Sequence, residues 1–472
     1  MFMKRWIIFV FFVLSSLSSL IAQIPKPTIH QKQWHEMEFY LFVHFGPNTF
    51  TDVEWGHGDE DKNLFNPTAL DCNQWCRTAI SAGAKGIIIT AKHHDGFCLW
   101  PSKYSSHTVA ASTWRSGKGD VLKDLSQACK AHGLKFGIYI SPWDRNHPTY
   151  GTEEYNNVFV KMMEELFDSY GPIWELWWDG ANGEGPNGKK QIYDWNKFKS
   201  FVRKKSPSTV IFSDVGPDIR WVGNESGIAG TTNWNTLNTD GFTPGLGGPP
   251  AHVLNEGNRG GKEWIPAECD VSIRPGWFYH SAEDDKVKSD TTLFELYLKS
   301  VGRGSNLLLN VPPDRRGLFH YNDSMALVGF KNLIDLSFKY DLLAGVSAYI
   351  QDGKKIFQSS SITDADIESA EVMNQKKKRS ININISNVVE MNCIAISENL
   401  DEGQGIAKWE LKLFLHDRKI KSIKGTTIGR KRILNFPTAK VDSVTLNILE
   451  SIGSPSISGI SAYKINSGLT IL

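Results

Sequence analysis

The chain has 472 residues, with 52 Lys and Arg against 51 Asp and Glu and a formal net charge of +1. This length allows two or three domains, and the even charge balance argues against nucleic acid or an anionic membrane as partner. The 16 Trp and 13 Tyr supply faces on which sugar rings stack, although packing in an apolar core accounts for most of them.

Residues 1–22 read as a secretory signal. Lys4 and Arg5 form its basic start, Trp6 to Leu14 is continuously apolar, and Leu20-Ile21-Ala22 ends on a small residue suited to cleavage. The apolar run is too short to span a bilayer comfortably, and serines dilute it from Ser15 onward. Cleavage is therefore expected rather than retention as a membrane anchor, and with no Cys directly after the cleavage point a lipid anchor is not expected either. Removing residues 1–22 takes two of the 52 basic residues and none of the 51 acids, which leaves a net charge of −1. Export into a periplasm is the expected destination.

From about Met37 to Asp341, strand-like and helix-like segments alternate. Phe39 to Val43 is an apolar strand. Asn66-Pro67 predicts a helix opening, closed by Gly83 before a strand at Gly86 to Thr90. Asp120 caps a helix over Val121 to His132, closed by Gly133 before a strand at Phe136 to Ser141. Thr152 caps a helix to Tyr170, and Gly171 precedes the aromatic strand that runs from Ile173 and ends at Asp179. Thr292-x-x-Glu295 predicts a capping box, and Asn306 to Val311 a late strand. Short strands alternating with capped helices mean right-handed βα units, and a run of this length suits one closed (β/α)₈ barrel over residues 23–342. The Gly-, Pro- and Asn-rich stretch 238–261 reads as a long loop on the face that carries the chemistry.

Beyond Leu343 the period changes to two. Ile381, Ile383 and Ile385 alternate with polar residues, as do Trp409, Leu411, Leu413 and Leu415, then Val444, Leu446 and Ile448. That pattern predicts an antiparallel β-sandwich over residues 343–472. The basic run Lys376 to Arg379 reads as a solvated turn. The six cysteines are too scattered for a disulfide scaffold. Cys72 and Cys76 lack a second pair to complete a metal site, so core packing is expected.

Polar residues punctuate the ends of the early strands: His44, His93-His94-Asp95, Tyr139, and Asp179 after Trp177-Trp178. Chemistry collected at the C-terminal ends of successive strands is the pattern of a (β/α)₈ active site. Glycoside hydrolysis needs two carboxylates astride one bond, roughly 5–5.5 Å apart when configuration is retained. Asp179 is the first. Glu225, Glu268 and Asp270 are candidates for the second, and the residues alone leave Glu225 and Glu268 close to even. Small neighbours and Trp221 suggest a partly desolvated Glu225. Adjacent His93 and His94 on an extended segment are expected to point to opposite sides, which disfavours a shared metal and favours hydrogen bonds to ring hydroxyls. Spacing alone reads Glu54-Trp55 as a surface acid beside a half-buried aromatic.

Taken together, His44-Phe45-Gly46, Glu54-Trp55-Gly56, Thr90 to Trp100, Gly137-Ile138-Tyr139, Trp178-Asp179-Gly180 and Arg274-Pro275-Gly276-Trp277-Phe278-Tyr279 resemble the α-L-fucosidases of glycoside hydrolase family 29. The resemblance implies Asp179 as nucleophile and a fucose subsite lined by His44, Glu54, Trp55, His93, His94, Tyr139, Trp177 and Trp277. The segment Arg220 to Glu225 is similar to that of the branch cleaving α-1,3/1,4-linked fucose from branched glycans, where this Glu is the acid/base. Gly403-Gln404 and Thr427 to Leu434 resemble the same branch. Around Asp364 to Val372 the Thr-Tyr-Trp segment usual in that sandwich has no counterpart, which leaves buttressing of the barrel as the role expected of this domain. The expected activity is therefore a retaining exo-α-L-fucosidase acting on fucosylated oligosaccharides, with no organic cofactor and no catalytic metal. Rival readings are a broad-specificity or α-1,2-acting enzyme of the same family, a fucose-binding protein without turnover, and a sandwich that tethers the enzyme to polysaccharide.

Overall fold

The computed structural model describes residues 24–366, 368–374 and 378–466. The expected signal, residues 1–22, and Lys376 and Lys377 of the basic run lie outside the described residues. Eight parallel strands close into a barrel: β1 Phe39–Val43, β2 Gly86–Lys92, β3 Lys135–Ile140, β4 Glu175–Trp177, β5 Val210–Ser213, β6 Ile219–Trp221, β7 Ala267–Ser272 and β8 Asn306–Asn310. They are adjacent in chain order, and β1 pairs with both β2 and β8, so no edge is left open. β1, β2, β4, β5, β7 and β8 are buried along their whole length, as strands covered on both faces must be. Residues 24–35 begin below the barrel. Thr28 and Gln31 form a reciprocal capping box for helix Ile29–His35, which seats Trp34 in the lower lumen.

Two expected helices, Val121–His132 capped by Asp120 and Glu153–Tyr170 after Thr152, start and stop where their residues predict. Others shift. The helix expected at Asn66-Pro67 begins at Cys72, where Asp71 accepts from the Asn73 N–H, because the intervening backbone is tied to Arg316 and Gly317 instead. The box at Thr292 sits inside helix Asp290–Lys299, whose N-cap is Ser289. The aromatic strand shrinks to three residues, Glu175–Trp177. β5 and β6 are joined by residues 214–218 with no helix, and the Asp218 carboxylate receives the Ile211 N–H at 2.7 Å in the turn. The stretch 238–261 holds a short helix, Ala251–Glu256.

The C-terminal part is an eight-stranded antiparallel sheet with its own apolar core. It contains β9 Ala348–Asp352, β10 Lys355–Ser359, β11 Glu371–Val372, β12 Arg379–Glu398, β13 Ile406–Leu415, β14 Arg418–Gly425, β15 Arg432–Ser451 and β16 Ser456–Tyr463. Ile381, Ile383, Trp409, Leu411, Leu413, Val444, Leu446 and Ile448 all point into that core. Register breaks between Asn384 and Val389 and between Met391 and Cys393 let the long strand β12 bend, so that both of its halves contribute to one core. Arg379 does not belong to a solvated turn: it opens β12, is 7% exposed, and donates to Ser451 at 2.7 Å. All six cysteines are free and buried.

One buried ion pair braces the strand ends that matter below. Lys92, at the end of β2, reaches Asp144 at 3.1 Å, with side-chain exposures of 0% and 1%. Burial alone would raise the Asp144 carboxyl, but Lys92 and the His147 N–H hold it below its ordinary value. Lys92→Met strands a buried carboxylate and should destabilise the protein by about 3–5 kcal/mol. Denaturant unfolding measures that loss, and adding Asp144→Asn should recover part of it; a single variant as stable as wild type would remove the pair from the account.

Candidate active site

Asp179 follows β4 at the barrel mouth. The turn beginning at Gly180 lets the Ala181 N–H donate to Asp179 Oδ1 at 2.7 Å, and Tyr139, next to last in β3, donates its hydroxyl to Oδ2 at 3.0 Å. The Asp179 side chain keeps 25% exposure. Burial and the neighbouring Asp179 push the Tyr139 hydroxyl well above its ordinary value, so it stays protonated and remains a donor.

The three histidines are held neutral by burial. His44, after β1, has its ionisation lowered to about 3 and His94 to about 4, while His93 is pushed well below its ordinary value. Asn310 at the end of β8 fixes one tautomer. Its Oδ1 accepts from the His44 backbone N–H at 3.2 Å and from Nδ1 at 2.9 Å, while its Nδ2 donates to the Trp277 carbonyl. Nε2 of His44 is left as a bare acceptor. Ser141 acts likewise on His94: its Oγ donates to the Trp143 carbonyl and so accepts from His94 Nδ1 at 2.8 Å. The bare His94 Nε2 then lies 3.9 Å from Asp179 Oδ2. Contrary to expectation, the rings of His93 and His94 lie side by side with centroids 4.1 Å apart, because the chain has left β2 and entered a turn. Among the described residues, no group of three or more His, Cys, Asp or Glu is arranged to hold a metal ion.

Beneath them, Trp177 stacks on Phe212 at 4.0 Å and on Tyr139 at 5.2 Å, and its indole N–H donates to Glu268 at 2.8 Å. Glu268 is 0% exposed and also accepts from the Tyr40 hydroxyl. Glu175 beside it is sealed too, and burial raises both carboxyls above their ordinary values. Asp270 is 4% exposed under Trp221, whose N–H it accepts at 2.9 Å. Two of the candidate second carboxylates therefore belong to the barrel interior. Glu225 is different. It sits at the rim in the turn after β6, exposed rather than desolvated, and accepts from Trp277 Nε1 at 3.2 Å. Its small neighbours, read from sequence as a shelter, instead leave it open to solvent.

Glu54 is more than a surface acid. Its oxygens accept from the backbone N–H groups of Trp277 at 2.8 Å and Phe278 at 3.2 Å, which ties two loops together. Trp55 is 55% exposed and stands edge-on to His94 and Trp143. Trp277 packs on His44 with centroids 5.1 Å apart. All ten residues singled out from the sequence thus meet at one end of the barrel, with Trp177 as floor.

Sequence reasoning missed Asn310, Ser141, Trp143, Asp214 and His280. Asn310 ends an apolar strand and Asp214 follows one, so the punctuation that identified Asp179 was available for both. Burial pushes the Asp214 carboxyl up to about 6, and its Oδ1 has no partner. A separate surface groove lies elsewhere. It runs past Lys135 and Trp174 at the N-terminal ends of the strands and contains none of these residues.

Comparison with known proteins gives one consistent picture. A family model described as alpha-L-fucosidase matches residues 17–332. The chain is 38% identical over 458 residues to the "Putative alpha-L-fucosidase 1" of Oryza sativa subsp. japonica, covering 95% of this chain and 86% of that protein. It is 38% identical over 455 residues to the "Alpha-L-fucosidase 1" of Arabidopsis thaliana, covering 93% and 86%. Among solved structures it is similar to a putative alpha-L-fucosidase from Bacteroides thetaiotaomicron, with a TM-score of 0.86, 36% identity and coverage of 94% and 98%. It is also similar to a Ruminococcus gnavus fucosidase solved in complex with fucose, with a TM-score of 0.85, 28% identity and coverage of 95% and 96%.

The Tyr139 hydroxyl donates to Asp179 at 3.0 Å. Tyr139→Phe keeps the ring stack and deletes that bond, which at about 1.5–3 kcal/mol for a bond to a charged group predicts a loss of roughly 10- to 150-fold in turnover. Steady-state kinetics with an unchanged melting temperature would show it; wild-type kcat/KM would mean that the bond has no part in the chemistry.

Proposed function

The chain belongs to the α-L-fucosidases of glycoside hydrolase family 29, and we propose that it is a retaining, exo-acting member that releases α-1,3/1,4-linked fucose from branched glycans. One contrast in exposure carries the mechanistic reading. Of the four carboxyls weighed for the catalytic pair, Asp179 and Glu225 face the cleft, whereas Glu268 and Asp270 are sealed beneath it.

In this reading Asp179 attacks the anomeric carbon as its bond to the glycosidic oxygen breaks, and Glu225 gives its proton to that oxygen. The resulting fucosyl-enzyme is then opened by a water whose proton returns to Glu225. The bare Nε2 atoms of His44 and His94 would accept from sugar hydroxyls, and Trp277 would cover an apolar face of the ring. No cofactor or metal takes part in this scheme. Lys4, Arg5 and the apolar run to Leu14 support export and a periplasmic location.

Asp179→Asn should fold and lose several orders of magnitude in turnover, and a mechanism-based fluoro-fucoside should label the peptide containing Asp179. Glu225→Ala should damage substrates with poor leaving groups far more than activated aryl fucosides, with rate restored by azide as a β-fucosyl azide. Should Glu268→Ala behave this way and Glu225→Ala not, the assignment is wrong.

The linkage reading rests on the segment Arg220 to Glu225 and on two loops flanking Asp179-Gly180. In the first, Trp143 donates its N–H to the Glu184 carbonyl at 3.0 Å and packs against Gly183, where a Cβ would stand 2.1 Å from its ring. In the second, Gly245 packs on the Gly180 carbonyl and Leu246 is 65% exposed. In this reading both would meet a galactose next to the fucose on the same N-acetylglucosamine. Binding energy from such a remote sugar raises turnover as well as affinity. Lewis a and Lewis x trisaccharides should therefore be cleaved with higher kcat/KM than a simple aryl fucoside or α-1,2-linked fucosyllactose in one buffer. Similar values across the four, or a preference for the α-1,2 linkage, would place the enzyme in the broad-specificity branch. Any turnover excludes a purely fucose-binding protein.

A further inference from the structure

We propose that His280 is a positioning residue for the fucose subsite: clamped between Asp52 and Glu54, it fixes the Glu54 carboxylate and, through it, the Trp277 ring. The inference rests on the reading that Glu54 and Trp277 line that subsite. His280 follows the Arg274 to Tyr279 run, and its side chain is 14% exposed. Nδ1 lies 2.8 Å from Asp52 Oδ1 and Nε2 lies 2.7 Å from Glu54 Oε1. Ionised carboxylates only accept, so both ring nitrogens must donate, and only the imidazolium has two N–H groups. The geometry calls for a charged ring.

Backbone observations fit the clamp independently of its charge. Asp52 closes helix Pro47–Thr51 in the left-handed region at φ 64°, which turns the next two residues toward His280. A Cβ on Gly276 would stand 2.5 Å from Glu54 Oε1 and 2.9 Å from His280 Cδ2, so the clamp occupies space that only glycine leaves. The consequences reach further than Glu54. The Trp277 N–H is held by Glu54, its carbonyl by Asn310, which sets His44, and its indole N–H by Glu225. One imidazolium therefore restrains both sides of the cleft.

The charged groups packed around His280 are Asp52 and Glu54 from one loop, with Arg274, Glu283 and Asp284 from its own. Arg274 is itself neutralised by Asp323 and Asp284 at 3.0 Å each. Burial lowers the His280 ionisation, but the hydrogen bonds to Asp52 and Glu54 outweigh it and leave the ionisation above the ordinary 6.5. The sign follows: the clamp is complete below that ordinary value and is lost as pH rises through the raised one. A neutral ring would turn a lone pair on one of the two carboxylates.

The test compares kcat, KM and the pH profile of kcat/KM on an aryl fucoside for wild type, Glu54→Gln, His280→Gln and Asp52→Asn, with melting temperatures measured alongside. Glu54→Gln and His280→Gln should each raise KM about tenfold or more, the scale of one lost charge-assisted hydrogen bond. Asp52→Asn, at a largely exposed position, should fold normally and move the alkaline limb to lower pH, a shift that a merely structural role would not produce. If Glu54→Gln raises KM while His280→Gln and Asp52→Asn match wild type in KM and pH profile, the clamp is refuted. If Glu54→Gln leaves KM unchanged, the subsite reading fails and the clamp fails with it.

Discussion

A closed parallel barrel has no edge, so its lumen must be filled from within, and what fills it decides where the chemistry can stand. Here the filling is aromatic: Tyr40, Phe42, Tyr139, Trp177 and Phe212 form one cluster over the Trp34 plug. Two carboxyls, Glu175 and Glu268, are embedded in it with Trp and Tyr donors rather than a cation. Two adjacent negative charges there would be untenable, and burial raises both groups so that the pair keeps a proton. The result is a rigid floor whose upper surface is the Trp177–Tyr139 stack. Asp179 is held by that stack through a single hydroxyl, so the nucleophile proposed here inherits its placement from the packing below it.

The mouth above the floor is tuned for a neutral ligand. Burial strips the protons from three histidines that would otherwise carry charge near neutral pH, and Asn310 and Ser141 decide which nitrogen keeps its hydrogen. A sugar offers hydroxyls, which donate well to bare imidazole nitrogens and gain little from imidazolium. His280, which the geometry wants charged, lies outside the cleft between two carboxylates. Desolvation and ion pairing thus pull chemically identical side chains in opposite directions at one end of the barrel.

Much of this was legible in the chain itself. The alternation of capped helices and apolar strands, and the polar residue closing each early strand, located the barrel and its working end from Asp120, Gly133, Tyr139 and Asp179. What the chain hid was set by tertiary contact. The Asn66-Pro67 start gave way because its backbone bonds to residues 316 and 317, far away in sequence. The side-by-side rings of His93 and His94 came from a turn that period-two reasoning could not foresee. The openness of Glu225 depends on how its loop is held, not on the size of its neighbours. His280 showed no local signal, since its partners are 226 and 228 residues away.

Two segments of the C-terminal domain, around Gln404 and Thr427, reach back to the barrel and act on the loop that follows Glu225. Gln404, 0% exposed, accepts the Asn235 N–H at 2.7 Å and donates to the Asn233 carbonyl at 3.0 Å, as a neighbouring strand would. Thr427 takes the Asn233 N–H at 2.9 Å, and Arg220, at the root of the Glu225 turn, grips Asn233 and Trp234 from the other side. Buried backbone groups without partners are costly, so residues 233–235 have one low-energy path, and the turn bearing Glu225 leads directly into it. A side chain in one domain thereby completes the backbone of the other. Buttressing, the plainer of the roles open to this domain, is then a condition on the active site, because the exposed carboxylate of Glu225 has little besides Trp277 and its own anchored loop to hold it in place.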